Sequence, residues 1–453
     1  MFGSGRAILS LRDSYRSDLR DVKRATGFEY VRFHAIFHDE VGVYDEDAAG
    51  NPLYNFSYVD QIYDGLLANG VRPFVELSFM PKKLAARQTV QDFWYHPIIS
   101  PPKDYARWGD LISHFAQHLV DRYGINEVSH WYFEVWNEPN LDFWAGDPKE
   151  QTYYQLYDAA ARALKAVNAG LRVGGPATAQ AAWVDRFIRH CLENNVPFDF
   201  VSTHVYGNDP AEPVLGTQES VPRTQMVCRA ARKVHDQVLA SQRPDVPIIW
   251  SEYNASYKNE PDVTDAVFMA PWLADTIRQC DGLTDMMSYW TFSDVFEEQG
   301  VVKQPFYGGF GLIAEDGLPK PVFNAFKLLH ELGQQRIAED SDSALVTRRS
   351  DGALVIAVWN LFLPEEAGVP KTVTIAIKGL SGHRRALISR VDATHGSLLA
   401  TYAAMGKPAY PTSRQEDQLR RAAELPLPET KYFEHGTLTI VLPPQGLALI
   451  ELR

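Results

Sequence analysis

The sequence predicts an α/β fold, a (β/α)8 TIM barrel followed by a C-terminal all-β sandwich. Three observations predict it. Short β-branched or aromatic runs alternate with helical patterns through residues 1–332. Those runs number eight, the count that closes a parallel barrel. Beyond Gly333 the helical patterns give way to alternating or apolar strand runs alone, which places the sandwich at residues 333–453.

The eight runs are Ala7–Leu11, Tyr30–Ile36, Pro73–Phe79, His130–Trp136, Leu171–Gly174, Phe198–Val205, Pro247–Trp250 and Met286–Phe292. Between them lie segments such as Asp104–Tyr123, where Trp108, Leu111, Ile112, Phe115 and Leu119 fall at helical spacing. Strand-helix alternation implies parallel strands joined by right-handed crossovers. An open dinucleotide-binding sheet would need a third glycine after Gly3 and Gly5 at the fingerprint spacing, and none follows. In the tail, Leu345–Arg348, Leu354–Phe362, Thr372–Ile377, Ala386–Val391, Thr437–Val441 and Leu447–Leu452 read as strands, and Pro411–Glu424 as a helical insertion.

Composition narrows the function. A formal net charge of −13 makes nucleic acid, anionic membranes and polyanionic substrates poor partners. No apolar stretch is long enough to span a bilayer, and the N-terminus carries no signal-peptide pattern, so a cytoplasmic location is expected. The three cysteines, Cys191, Cys228 and Cys280, are odd in number and widely spaced in helical stretches. They read as small buried apolar residues, with neither a disulfide framework nor a zinc site expected.

In such a barrel the catalytic groups sit at the C-terminal ends of the strands. The fourth run ends Glu134-Val135-Trp136-Asn137-Glu138-Pro139, and the seventh ends Trp250-Ser251-Glu252-Tyr253. Strands four and seven face each other across the mouth. Two facing carboxylates are what glycosidic cleavage needs, one to protonate the leaving oxygen and one to attack or stabilise the sugar centre. A Glu beside Trp136 in a partly apolar mouth should hold its proton, which suits Glu138 as the acid. Alone, Glu252 would read equally well as a salt-bridge partner; as the second of a pair it becomes a candidate nucleophile. Asn137 can donate to a substrate hydroxyl. His204 and Tyr206 share one face of the sixth strand, and His34 ends the second. Trp290 serves either as a floor for an apolar sugar face or as a core tryptophan. The first run offers no His-x-His, which argues against a metal-dependent hydrolase barrel, and no metal or cofactor is expected.

At these residues the sequence resembles glycoside hydrolase family 39, specifically its β-xylosidase branch. Gly3-Ser4-Gly5-Arg6, Pro73–Pro81, Phe133–Asn140, Val173–Pro176, Ile249–Tyr257, Ser288–Glu298, Gly308–Leu312 and, in the tail, Val346–Arg349 and Val358–Leu361 carry the resemblance. It implies Glu138 as acid/base and Glu252 as nucleophile of a retaining double displacement. It further implies that Asn137 binds the sugar 2-hydroxyl, and that His34, His204, Tyr206, Trp290 and Glu298, with Glu297 less centrally, line the sugar subsite. Phe143 would wall the cleft. The implied substrate is a xylo-oligosaccharide or other small β-xyloside, and the implied assembly a homo-oligomer. The family also holds α-L-iduronidases, but Glu297 and Glu298 argue for a neutral sugar, with an α-L-arabinosidase as the alternative. A protein that binds carbohydrate without cleaving it would not need both Glu138 and Glu252. Members carry a longer stretch ahead of Gly-Ser-Gly-Arg, so strand one and an edge of the sandwich are expected to differ here. Tyr307 stands where relatives often have His, which implies an altered substrate preference.

Overall fold

A computed structural model describes residues 1–380, 382 and 384–452. Eight parallel strands close a barrel: β1 (Phe2–Gly3), β2 (Tyr30–Phe33), β3 (Arg72–Leu77), β4 (Tyr132–Val135), β5 (Arg172–Thr178), β6 (Phe200–Tyr206), β7 (Ile248–Asn254) and β8 (Met286–Tyr289). Each pairs with its neighbours in sequence, and β1 closes the ring by pairing with both β2 and β8. The main outer helices are α1 (Asp13–Thr26), α2 (Ser57–Leu67), α3 (Tyr105–Tyr123), α4 (Lys149–Val167), α5 (Val184–Glu193), α6 (Met226–Leu239), α7 (Met269–Cys280) and α8 (Pro321–Leu329). In α3 the predicted stripe is the buried one, with Trp108, Leu111, Ile112, Phe115 and Leu119 all inside. Its start is fixed by Asp104, whose carboxylate accepts from the Ala106 amide at 2.8 Å.

Strand one is not where the apolar run predicts it. Ala7–Leu11 is a short 3₁₀ helix, and the barrel strand is the preceding Phe2–Gly3. The reason is local. A Cβ on Gly3 would lie 2.1 Å from the Trp290 ring, so glycine alone lets the chain pass there. The run beyond turns because the Ser10 hydroxyl bonds the Ala7 carbonyl at 2.7 Å, closing a tight loop that a strand would open.

The C-terminal layer is a six-stranded antiparallel sheet with a two-stranded ribbon over one face. Its strands are β9 (Gln335–Ile337), β10 (Ala344–Arg348), β11 (Leu354–Asn360), β12 (Lys371–Ala376), β13 (Arg384–Val391), β14 (Glu429–Phe433), β15 (Thr437–Leu442) and β16 (Gly446–Leu452). The sheet runs β9-β10-β11-β16-β13-β14, and β12 pairs with β15 as the ribbon. Period-2 alternation along β11 feeds two cores. Ile356 and Val358 face the ribbon with Leu438, Ile440 and Leu442, whereas Val355, Ala357 and Trp359 join the barrel core. The edge strands β9 and β14 escape sequence reading because Gln-Arg-Ile and Glu-Thr-Lys-Tyr-Phe are mostly exposed and polar. The helical insertion forms as α10 (Ser413–Ala423), preceded by the short α9 (Leu399–Ala404). Thr412 and Gln415 make a reciprocal capping box at its start. Both helices pack Tyr402, Leu419 and Ala423 on Phe306, Ala314 and Leu318 of the barrel.

The cysteine reading needs correction. Cys228 on α6 and Cys280 at the end of α7 form a disulfide, with Cα atoms 5.1 Å apart, while Cys191 is a buried free thiol. Wide spacing in sequence did not exclude the bridge, because consecutive outer helices of a barrel lie side by side. Such a bond is typical of oxidising compartments and weighs against the cytoplasmic expectation. No helix among the described residues is long and apolar enough to cross a membrane. The bridge spans 52 residues, and closing a loop of that size removes roughly 4 kcal/mol of unfolded-state freedom. Cys228→Ser should therefore melt several degrees below the wild type, and reductant should lower the wild-type midpoint but not the variant's. Equal midpoints with and without reductant would count against the bond.

Candidate active site

The barrel mouth holds a pocket of about 390 Å³ lined by His34, Phe93, Asn137, Glu138, Leu141, Phe143, Ala179, Gln180, Tyr206, Asp209, Glu252, Tyr257, Trp290, Glu298, Gln299 and Phe310. Grooves of about 560 and 590 Å³ elsewhere on the surface are larger, but neither gathers a pair of buried carboxylates. Size does not pick the site; chemistry does.

Beneath the pocket lies Arg32, on β2 and without solvent exposure. Its guanidinium reaches Glu134 Oε2 at 2.6 Å, Glu76 Oε2 at 2.7 Å and Glu252 Oε1 at 2.7 Å, and donates to Asn137 Oδ1 at 3.0 Å. Burial disfavours the Arg32 charge, but Glu134, Glu76 and Glu252 outweigh it and raise its proton affinity above the ordinary. Arg32 takes the Asn137 oxygen and so leaves the amide N–H₂ as that side chain's donor.

The two candidate carboxylates sit in opposed surroundings. Glu252 accepts from Arg32 through one oxygen and from the Tyr206 hydroxyl at 2.6 Å through the other, bonds of the kind an anion accepts. Burial, then the Glu252 charge, hold the Tyr206 phenol well above its usual range, so it stays a donor. Glu138 has no cation in contact. Burial, then Glu252, then Asp209 push its carboxyl well above the carboxylate range.

A chain of hydrogen bonds points the same way. The Ser251 hydroxyl donates to Glu134 Oε1 at 2.6 Å, and His204 Nε2 lies 3.1 Å from the same hydroxyl. Ser251 has one hydrogen, so Nε2–H must be the donor in that pair, which makes His204 Nδ1 an acceptor. Glu138 Oε1 lies 3.0 Å from Nδ1 and can bond it only by carrying the proton. Burial first, then Arg32 and His34, hold His204 neutral. Ligand atoms of Glu138, His204 and Glu252 lie within 4.8 Å of one another. Hydrogen bonds account for this grouping, Glu138 to His204 and Glu252 to Arg32 and Tyr206.

Backbone irregularities make this convergence feasible. The β6–β7 register shifts after Thr203↔Trp250 to His204↔Glu252, leaving Ser251 as an extra residue. The bulge lets Ser251 and Glu252, adjacent in sequence, both reach the site. At the end of β4, Trp136 (φ 73°) and Glu138 (φ 44°) are left-handed. Trp136 turns to Phe79, Trp108 and Trp144 and donates its indole N–H to the Phe143 carbonyl. The apolar wall expected beside Glu138 is thus not Trp136; general burial and two acidic neighbours take its part.

Most of the predicted residues are brought together. His34 bonds Glu76 Oε2 at 2.7 Å, faces Glu298 Oε1 at 3.6 Å and packs on the Trp290 ring at 4.8 Å between centroids. Trp290 is both floor and core, since it lines the pocket at 3% exposure. Phe143 is among the residues lining the pocket. Burial and then Glu252 and the other acidic groups nearby hold Glu298 well above the carboxylate range. Glu297 is carried away, because its left-handed backbone (φ 57°) sends its carboxylate to Arg12 at 2.5 Å and Arg6 at 3.6 Å. Tyr307 lines an adjoining cavity of about 370 Å³ that shares Glu298 and Phe310 with the pocket. Sequence reading missed Arg32, Glu76, Glu134 and Ser251. For Arg32, Glu76 and Glu134 the signal was a charge inside an apolar strand run; Ser251 gave none, because only the bulge between β6 and β7 brings it to the site.

Because the Glu252 charge adds to burial in raising Glu138's titration, Glu252→Gln should lower it. Carbon-13 NMR of glutamate-labelled protein would follow the Glu138 carboxyl across pH. A midpoint unchanged or higher in the variant would break the coupling described above.

A family model for Glycosyl hydrolases family 39 matches residues 1–438. A Beta-xylosidase of Geobacillus stearothermophilus is 38% identical, with 100% of this chain and 91% of that relative covered. One from Caldicellulosiruptor saccharolyticus is 37% identical, covering 93% and 87%. The crystal structure of a monomeric beta-xylosidase from Caulobacter crescentus CB15 superimposes with a TM-score of 0.90 at 33% identity, covering 100% of this chain and 95% of that one. By fold, sequence and the build of its barrel mouth, this chain belongs to glycosyl hydrolase family 39.

Proposed function

We propose that this glycosidase releases xylose from the non-reducing end of small β-xylosides by double displacement, with Glu252 as nucleophile and Glu138 as general acid and base. The observation that carries this is the pair itself. Carboxylate oxygens of Glu138 and Glu252 come within 4.8 Å, close to the roughly 5 Å separation of retaining sites and short of the wider gap that an inverting enzyme keeps for water. Their surroundings assign the roles. Glu252, bonded by Arg32 and Tyr206, attacks the anomeric carbon as the anion. Glu138, protonated against His204, hands its proton to the leaving oxygen. In the second half, Glu138 takes a proton from water, and the hydroxide equivalent displaces Glu252 from the sugar. Asn137, fixed by Arg32, offers its amide to the sugar 2-hydroxyl.

The sugar's charge follows from the lining. The pocket has Asp209 and Glu298 but no Lys or Arg among its lining residues, and the nearby Arg32 is engaged by three carboxylates. A uronic acid would bring another anion with nothing to meet it, so a neutral pentose fits better. Xylose is favoured because the relatives covered over most of their length are named β-xylosidases.

A panel of aryl glycosides at neutral pH tests the substrate. The β-xyloside should dominate over α-L-arabinoside, β-glucoside and α-L-iduronide, and Glu252→Ala should abolish turnover. Preference for another sugar would overturn the xyloside assignment. Glu138→Ala should slow xylosides with poor leaving groups by roughly 10²–10⁴-fold, and activated aryl xylosides far less. Equal loss on both kinds would remove Glu138 from the acid role.

A further inference from the structure

The pocket has two chemically different ends, and no side chain at one of them has yet been given a part in binding the substrate. Glu298, His34 and Trp290 crowd one end. Past Glu138, the opposite wall is made by Ala179, Gln180 and Asp209. If Glu138 protonates the leaving oxygen, the departing group lies over this second wall. The inference therefore rests on that reading of Glu138.

The segment carrying Gln180 has an unusual backbone. Ala177 (φ 55°), Gln180 (62°), Ala181 (52°) and Trp183 (63°) are all left-handed, with no glycine among them. Side-chain-bearing residues adopt that region at a cost and persist in it where surrounding contacts hold them, a pattern found at functional sites. The contacts are explicit. Asn140 accepts from the Ala179 amide at 2.9 Å and donates to its carbonyl at 3.1 Å. The Glu138 amide donates to Ala177 O at 2.8 Å, and Lys233 donates to Ala181 O at 3.1 Å. The strained segment is thus strapped to the strand end that bears Glu138, which fixes Gln180 relative to the acid.

Asp209 completes the wall. Its Oδ2 accepts from the Tyr206 amide at 2.7 Å, and the Gln180 side chain lies close enough to the same carboxylate to offset part of the effect of burial, which raises its titration to about 6. Gln180 offers an amide oxygen and two N–H donors beside the remaining lone pairs of Asp209, and both residues line the pocket. An amide and a carboxyl group side by side suit the hydroxyl groups of a sugar and have little to offer an apolar aromatic ring.

We propose that Gln180 and Asp209 form the recognition site for the leaving group, selecting a second sugar over an aryl alcohol through its hydroxyls. The test compares β-1,4-xylobiose with p-nitrophenyl β-xyloside. Gln180→Ala and Gln180→Gly should each lower kcat/KM on xylobiose by about tenfold, the loss of one or two hydrogen bonds, and leave the aryl xyloside within about twofold. Glycine relieves the left-handed backbone, so the same selective loss in both variants separates a lost contact from a strained loop. Equal losses on the two substrates, or none on xylobiose, would overturn the proposal while the enzyme's activity stands. A wild-type protein inactive on both xylosides would instead bring down the functional reading, and this inference with it.

Discussion

The site depends on one buried cation. Arg32 draws carboxylates from β3, β4 and β7 to a single point beneath the pocket floor. Burying a guanidinium costs several kcal/mol unless its geometry is met, and breaking such a cluster by removing one partner leaves uncompensated charge in the interior. Here the arrangement is lopsided: one cation faces Glu76, Glu134 and Glu252. His204 cannot redress the balance, because burial and Arg32 itself keep it neutral. The pocket above is left with a surplus of acidic groups, and burial first, then acidic neighbours, raise the titration of Glu138 and Glu298 well above the carboxylate range. The division of labour between two chemically identical side chains thus begins with which of them reaches Arg32.

Backbone geometry decides that reach. An ideal barrel would send Ser251 and Glu252 to opposite faces, and a regular strand end would point Trp136 and Glu138 the same way. The bulge between β6 and β7 brings Ser251 into contact with both His204 and Glu134 without losing Glu252 from the pocket. Left-handed turns at Trp136 and Glu138 separate an aromatic that belongs to the core from an acid that belongs to the mouth. Such irregularities sit at a barrel's functional rim, where re-aiming a side chain outweighs a lost ladder bond.

Much of this was legible in the sequence, for identifiable reasons. Seven of the eight barrel runs were found because buried parallel strands are continuous apolar stretches. The first failed because Ala7–Leu11 is equally apolar as a 3₁₀ turn, and its true neighbour, Phe2–Gly3, is two residues long. Glu138 and Glu252 stood out because acids at strand ends break an apolar pattern. Arg32, Glu76 and Glu134 did not, although they break it too, because a single charge inside a run reads as noise until its partners on other strands are known. The Cys228–Cys280 bridge was hidden for a related reason: the contact lies between helices, and sequence spacing says nothing of which helices touch. Glu297 was misplaced because period-2 and loop arguments cannot foresee one left-handed residue.

The same charge surplus that protonates the acid also bears on what the pocket admits. A uronate placed against Glu298 would meet a carboxyl already held above its ordinary range by burial and acidic neighbours. Admitting it would need either a cation beside it or uptake of a proton by the uronate itself. The first would weaken the anionic field around Glu138, and the second would cost binding free energy near neutral pH. A neutral sugar avoids the choice. Its hydroxyls can donate to Glu298 or accept from it without altering the local charge, so binding the glycone and keeping Glu138 protonated are compatible demands on one set of residues. Under the proposed roles, selection for a neutral substrate and the acid function of Glu138 draw on one set of features, the burial of the pocket and the acidic groups that crowd it.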